Sequence, residues 1–172
     1  MFRTLLALTL TFVGALGACP HNNGTDTHLN FFNCDSSLPL QVEALSMTDK
    51  DGNPVWPWNP EHVFHQRSKY TGPDVAKFTL NADIYQWSDM TGQCAWRKLM
   101  TIPFIQYIDG CKYTTCPIKE GEVSFDIPVD LTAYYWFVES AGNDMEYKVE
   151  VTINDDKYNK IGCLDLQVVI KF

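Results

Sequence analysis

Short stretches in which apolar and polar residues alternate recur along this chain and constrain its fold more than any other feature. Alternation at period two is typical of a strand with one buried face and one solvated face. The strand candidates are the alternating segments 76–84, 123–127, 147–153 and 164–171, together with Gln41–Met47 and the aromatic-rich Tyr134–Glu139. Beyond the N-terminal segment, no stretch shows convincing helical periodicity. About seven short strands separated by turns predict an all-β fold, an antiparallel β-sandwich of the immunoglobulin type.

Two proline-containing segments interrupt the pattern. Pro103 lies inside Trp96–Ile108, which predicts an edge strand or a strand that breaks and resumes. Trp56 and Trp58 stand among prolines, which excludes a central strand or a helix there. Two interpretations of this tryptophan loop are open: it enters a membrane interface or borders a ligand entrance, or its rings cap the edge of the core.

Residues 1–18 have the layout of a secretory signal. A short positive start at Arg3 is followed by an uncharged apolar run and by small residues that end at Ala18. The apolar run is too short to anchor the chain across a bilayer. We therefore expect cleavage after Ala18 and one domain over residues 19–172, because a chain of 172 residues favours a single domain.

Secretion determines how the six cysteines are interpreted. An even number of cysteines in an oxidising compartment predicts three disulfide bonds, although the sequence allows many pairings. Cys19 follows Leu16-Gly17-Ala18, which also resembles a bacterial lipoprotein motif, so a lipid anchor at Cys19 is an alternative. The cysteine spacing does not match zinc sites, and we expect no metal and no cofactor. Asn23 begins an Asn-Gly-Thr acceptor for N-linked glycosylation.

The charge and the motifs restrict the functional class. A formal net charge of −8 makes nucleic acid an unsuitable partner. Asp49 to Pro54 has the acidic spacing of a calcium loop, but Pro54 replaces the required glycine, so a turn is expected. His62 and His65 lie near Glu61 on what we interpret as an irregular stretch, with no nucleophile motif beside them. These observations favour a binding protein over an enzyme.

From Trp96 to Phe172 the chain resembles the ML lipid-recognition domain family. The matching residues are Ile102-Pro103-Phe104, Asp109-Gly110-Cys111, the run from Cys116 to Glu122 (CPIKEGE) and Gly162-Cys163-Leu164. In addition, Phe31-Phe32-Asn33-Cys34-Asp35 is similar to the opening cysteine segment of that family. Residues 48–74 match no known feature of the family. The resemblance implies the disulfides Cys34–Cys163 and Cys111–Cys116, which leaves Cys19 and Cys94 as the remaining pair.

The resemblance also implies a function. Proteins of this family hold a lipid between the apolar inner faces of two sheets, without enzymatic activity. We therefore expect a protein of the extracellular space or the lysosomal lumen that binds a sterol, glycolipid or phospholipid. Transient contact with a membrane surface is expected, and a hydrolase or a receptor is a candidate partner. A receptor-binding module with a filled core is the alternative. The expected cavity residues are apolar side chains of the alternating strands: Phe78, Leu80, Ile84, Ile102, Val123, Phe125, Tyr147, Val149, Val151, Leu164, Leu166 and Val168.

Overall fold

A computed structural model describes residues 19–56, 61–89, 92–99, 101–130, 132 and 145–170. Within them the regular structure is β-strand with three single-turn 3-10 helices. The strands are β1 (Asn30–Asn33), β2 (Leu40–Thr48), β3 (Glu61–Tyr70), β4 (Phe78–Asp89), β5 (Cys94–Lys98), β6 (Ile108–Asp109), β7 (Gly121–Asp130), β8 (Met145–Asp155) and β9 (Lys160–Ile170). The 3-10 helices are Asn22–Gly24, Pro103–Ile105 and Gly110–Lys112. No helix among the described residues is long and apolar enough to cross a membrane.

The strands form two layers that are joined along one edge. The hydrogen-bonded order is β5-β4-β8-β9-β2-β3-β7, with β1 on β9 and β6 on β4. Every neighbour is antiparallel except β9 and β2, which share a single parallel pair, Leu40 with Gly162. The chain of strands therefore divides at this pair into a β5-β4-β8-β9 layer and a β2-β3-β7 layer. This is the all-β sandwich that the alternating sequence predicts, with nine strands rather than about seven.

The joint between the layers depends on a close approach that only glycine permits. A Cβ atom on Gly162 would lie 2.9 Å from Leu40 Cδ2. Leu40 is 1% exposed and belongs to a packed apolar cluster, so a shift of its side chain would disturb its neighbours. A larger residue at 162 would push β2 and β9 apart at the one position where they pair.

Three disulfide bonds fasten the sandwich. They join Cys34 to Cys163 and Cys111 to Cys116, as the resemblance implies, and Cys19 to Cys94, the remaining pair. The Cys34–Cys163 bond connects the end of β1 with β9, and Cys19–Cys94 ties the N-terminal segment to β5. Cys111 and Cys116 pack against one end of the core.

The interior contains two packed clusters of apolar side chains. The first contains Phe78, Tyr70 and Ile118, and the second contains Met47, Tyr147 and Val168. Each cluster draws on both layers, so the layers are closed against each other at two positions. The space between these clusters is the candidate site.

Some expectations lie outside the described residues, and one is wrong. Residues 1–18, Trp58 and the strand candidate Tyr134–Glu139 lie outside them. The region around Pro103 does break and resume, as β5, a 3-10 helix and β6. The interpretation of the region around His62 and His65 as irregular is wrong, because both lie on β3. Its buried face carries polar side chains, so the sequence lacks the alternation that marks a strand.

Candidate functional site

An apolar cavity of about 200 Å³ lies between the two layers. Its wall is formed by β2, β3, β4, β6, β7, β8 and β9 and by the 3-10 helix at Pro103, without a contribution from β1 or β5. The wall residues are Leu45, Phe64, Gln66, Leu80, Ala82, Ile84, Ile105, Ile108, Phe125, Ile127, Val129, Val149, Val151, Ile153, Leu164 and Leu166. Every one of them except Gln66 has a purely hydrocarbon side chain. Such a wall favours apolar matter over water, because it offers water almost no hydrogen-bonding partner.

Strand geometry explains why these residues meet. On β8, Val149, Val151 and Ile153 are two residues apart and therefore project from the same face. They face the other layer. The neighbouring antiparallel strand β4 adds a second row on the same face, because Ala82 pairs directly with Val151. The period-two pattern of each strand is thus converted into one continuous surface.

The structure brings most of the expected cavity residues together. Those in the wall are Leu80, Ile84, Phe125, Val149, Val151, Leu164 and Leu166. Phe78 and Val123 lie instead in the first packed cluster, and Tyr147 and Val168 lie in the second. Ile102 is partly exposed just before the 3-10 helix at Pro103 and does not reach the wall. Whether an inward residue belongs to a packed cluster or to the cavity wall depends on its position along the length of the strand. The alternating pattern identifies the inward face but not that position.

Several wall residues are not among the cavity residues expected from the sequence. Ala82, Ile127 and Ile153 continue rows that the alternating pattern already marks, so extending those rows would have found them. Phe64 and Gln66 belong to β3, whose strand character the sequence does not reveal. Their signal is weak because polar residues occupy buried positions of the same strand.

Among the residues that the structure describes, no charged side chain lines the cavity. Lys148 is on the opposite face of β8, where its Nζ is 3.2 Å from Asp165 Oδ2 and 3.3 Å from Glu150 Oε2. Burial raises the pKa of Asp165, although the positive charge of Lys148 acts in the opposite direction. Glu146 is 4% exposed and accepts hydrogen bonds from the backbone N–H of Asn22. The wall is therefore suited to the uncharged part of a ligand.

A second depression, of about 360 Å³, lies on the surface near the β8–β9 turn. Tyr107 and Tyr158 border it, and Asp109 and Asp155 contribute carboxylates. The Asp155 carboxylate accepts hydrogen bonds from Lys157 and Asn159 within its own turn. Those contacts explain the carboxylate as part of a turn, and we assign no ligand to this depression.

A hydrogen-bonded trio on the outer face of β3 resembles the arrangement of a hydrolase. His65 lies between Thr48 and Asp126, with Nε2 2.9 Å from Thr48 Oγ1 and Nδ1 2.7 Å from Asp126 Oδ1. The side chain of Asp126 is 73% exposed, and no residue of the trio lines either cavity or depression. The central backbone of β3 pairs with both β2 and β7, so its N–H groups are not free to stabilise an oxyanion. The geometry is that of cross-strand hydrogen bonds on a solvated sheet.

Other candidate features have local explanations. The Asp49 carboxylate accepts hydrogen bonds from Asp51 and Asn53, which confirms the expected turn. Among the described residues, no group of three or more His, Cys, Asp or Glu is placed to hold a metal.

Trp56 packs against the second cluster, which agrees with a capping role for this one tryptophan of the loop. Asn23 is exposed, and its Nδ2 donates to Gln167 Oε1 at 3.1 Å.

This chain is similar to proteins of known structure. A Niemann-Pick type C2 protein from the Japanese carpenter ant superposes with a TM-score of 0.50 at 14% identity, covering 83% of this chain and 99% of that protein. Chicken MD-1, in a complex with lipid IVa, gives a TM-score of 0.43 at 14% identity, covering 84% of this chain and 90% of MD-1. No curated protein sequence matches this chain significantly.

The family model for the ML domain, whose designation names DerP2 and DerF2, matches residues 28–170. That range includes all nine strands and every residue of the cavity wall. This chain belongs to the ML domain family.

Proposed function

We propose that this protein binds a lipid and carries it or presents it to another protein, with the apolar part of the lipid held between the two layers. The hydrocarbon wall between the layers is the observation that carries this proposal. Moving apolar surface out of water is favourable by roughly 25 cal/mol per Å². A cavity of this kind therefore binds an apolar chain without any directional chemistry. Membership of the ML domain family adds support.

The ligand class that fits is a sterol, glycolipid or phospholipid with its charged or sugar group outside the wall. A charged group inside would lose its hydration without gaining an ionic partner. The cavity volume of about 200 Å³ exceeds that of cavities that hold benzene, about 150 Å³, but is smaller than typical ligand sites of roughly 300–1,000 Å³. Entry of a whole lipid therefore requires the layers to move apart. The layers are joined at one edge, by the Leu40–Gly162 pair and by the Asn33 amide of β1, which exchanges hydrogen bonds with the backbone of Val42 on β2. The strands β5 and β7 end the hydrogen-bonded order, so the opposite edge is the one that would open.

The compartment we propose is the extracellular space or the lysosomal lumen. Three disulfides persist in oxidising surroundings. Burial raises the pKa values of Glu146 and Asp165, which favours the folded state at acidic pH. Collection and delivery of lipid would involve transient contact with a membrane surface, and a lipid hydrolase or a receptor would be the acceptor.

Lipid extraction and transfer test the proposal. Protein purified without detergent is extracted and its lipids identified by mass spectrometry, and transfer of fluorescent cholesterol or phosphatidylcholine between vesicles is followed. We expect a bound lipid and protein-dependent transfer. Absence of both would contradict the proposal.

A matched pair of variants connects the activity to the cavity. Val151→Phe places a ring in the wall, whereas Thr152→Phe places the same ring on the outer face of the same strand. We expect Val151→Phe to reduce transfer at least about tenfold and Thr152→Phe to leave it near the wild-type rate, because only the first ring occupies space that the lipid needs. Equal effects would separate the activity from the cavity.

The alternative, a receptor-binding module with a filled core, predicts no space between the layers. The cavity between the packed clusters does not favour it.

A further inference from the structure

Of the described residues in the cavity wall, one has a polar side chain. Gln66 is 6% exposed and lies on the inward row of β3, between Phe64 and Ser68. Its partners in the register are Leu45 on β2 and Phe125 on β7, and both of these are wall residues. The amide is therefore surrounded by hydrocarbon and faces the interior.

The hydrogen-bonding capacity of this amide is largely unused. A glutamine side chain has two N–H donors and a carbonyl oxygen that accepts two hydrogen bonds. Gln66 donates one hydrogen bond from Nε2 to Ser68 Oγ, at 2.9 Å. Within the part of the chain that the structure describes, this is the one hydrogen bond of its side chain. The carbonyl oxygen and the second N–H are thus available to a molecule in the cavity.

The hydrogen bond to Ser68 does not give Gln66 a role in holding the strands together. Gln66 and Ser68 lie two residues apart on the same strand, so their bond fastens β3 to neither neighbour. Ser68 is fully buried and holds the amide in one orientation. An amide that faces a hydrocarbon space forgoes hydrogen bonds that water would offer it. A leucine or methionine would fill the same place without that loss.

We propose that Gln66 is a specificity-determining residue of the cavity, which selects lipids that bring an uncharged hydroxyl or carbonyl group into the apolar interior. The inference rests on the proposed lipid-binding function and narrows its ligand class. A hydroxyl satisfies the amide as both donor and acceptor, and a carbonyl accepts from the second N–H. A charged group is disfavoured at this position, because the surrounding wall provides no counter-charge.

Three probes of equal chain length separate these chemistries: 1-octanol, 2-octanone and octane. Their uptake by the full disulfide-bonded protein is measured by headspace gas chromatography. The variant is Gln66→Met, which keeps the length of the side chain and removes the amide. The control is Arg67→Met, which makes a methionine substitution at the neighbouring exposed position of β3, outside the cavity wall, and leaves the amide in place.

The informative quantity is the uptake ratio of each polar probe to octane, because the ratio cancels general changes in the wall. We expect Gln66→Met to lower the 1-octanol to octane ratio about tenfold relative to wild type, the effect of roughly one hydrogen bond. A decrease for 1-octanol alone assigns a hydroxyl ligand, and a decrease for both polar probes includes carbonyl ligands. Arg67→Met is expected to leave both ratios unchanged. Unchanged ratios in Gln66→Met would overturn the proposal.

A measurement on the wild-type protein avoids dependence on the variant. The side-chain NH₂ resonances of Gln66, observed by ¹⁵N-edited NMR, should shift with 1-octanol and not with octane. Equal shifts with both probes would overturn the role of Gln66 while leaving lipid binding intact. Uptake of none of the three probes by wild type would contradict lipid binding itself, and the inference about Gln66 with it.

Discussion

The ring of Phe78 lies so close to Gly110 that a Cβ atom on Gly110 would be 1.9 Å from Phe78 Cε2. Phe78 is 1% exposed, and its ring meets that of Phe125 edge to face, with the centroids 5.9 Å apart. The two rings come from different layers and close one end of the core beside the cavity. Gly110 precedes Cys111 in the sequence, so the glycine of this motif is explained by packing: only a residue without a side chain leaves space for the ring.

Substitution of Gly110 by alanine should therefore destabilise the fold. We expect Gly110→Ala to lower the free energy of unfolding by at least about 2 kcal/mol, because the methyl group forces the ring out of its packed position. Phe78→Leu, combined with it, should recover part of the loss, which a double-mutant cycle by urea titration would detect as coupling. Additive losses would show that the two positions act independently.

The long disulfide should stabilise the protein more than the short one. Cys34–Cys163 spans 129 residues and Cys111–Cys116 spans 5. In the chain-entropy model these closures contribute about 5 and about 2 kcal/mol respectively. We expect Cys34→Ser with Cys163→Ser to lower the melting temperature markedly more than Cys111→Ser with Cys116→Ser, measured by calorimetry. The opposite order would indicate that the short loop is essential to the packing of the core.

The short disulfide also bears on lipid retention. Its cysteines pack against the first cluster, and neither cysteine lines the cavity wall. We expect the Cys111→Ser, Cys116→Ser variant to retain its fold and to release lipid faster than wild type, because the end of the core beside the cavity is less constrained. Lipid release and circular dichroism are measured together. Complete unfolding with Cys34–Cys163 intact would show that the loop is required for the fold.

Glu146 should make stability depend on pH. Burial raises its pKa, whereas hydrogen bonds from Asn22 and the proximity of His21 act to lower it. A carboxyl with a higher pKa in the folded state binds protons more readily there, so its contribution to stability is present in acid and is lost as the pH rises. Glu146→Gln keeps an acceptor for Asn22 and removes the charge. We therefore expect its stability relative to wild type to increase between about pH 4.5 and pH 7.

Denaturant titrations at both pH values check this expectation. Since His21 and Asp26 also act on this carboxyl, the comparison is repeated in a His21→Gln, Asp26→Asn background. A stability difference that does not vary with pH would show that Glu146 has the same pKa in the folded and unfolded protein.

Lys148 should be important for the outer face of the β4-β8-β9 layer. Its ammonium group lies 4.2 Å from the ring centroid of Tyr85 and bridges Glu150 and Asp165. Lys148→Met leaves the two carboxylates facing each other without a cation. We expect a loss of roughly 1.5–3 kcal/mol, in line with other hydrogen bonds to charged groups, with part of it restored by Asp165→Asn. Thermal unfolding of the single and double variants provides the measurement. If Asp165→Asn restores no stability, the loss does not come from leaving the Asp165 carboxylate without a cation.

The sandwich could be anticipated from particular strands. On β7, Val123 and Phe125 point inward and alternate with exposed Ser124 and Asp126, so a reader of the sequence can infer both the strand and its face. The strand β3 could not be inferred in this way. Its inward row includes His62, Gln66 and Ser68, whose burial depends on hydrogen bonds and neighbours that the local sequence does not specify.

The candidate site could be anticipated in composition but not in extent. Val149 and Tyr147 are both inward residues of β8, and the sequence treats them alike. Val149 lines the cavity, whereas Tyr147 fills the second packed cluster. The difference is set by the separation of the layers at each height of the strand.

The sequence by itself determined that this chain is rich in strands, carries cysteines suited to an oxidising compartment and belongs with ML domains. These properties follow from local alternation and from short motifs, which act over a few neighbouring residues. Only the tertiary structure decided where the layers pack and where they leave a cavity, and that Gln66 faces into it. Those outcomes depend on contacts such as Leu40 with Gly162 and Phe78 with Phe125, whose members are distant in sequence and meet only when both layers are complete.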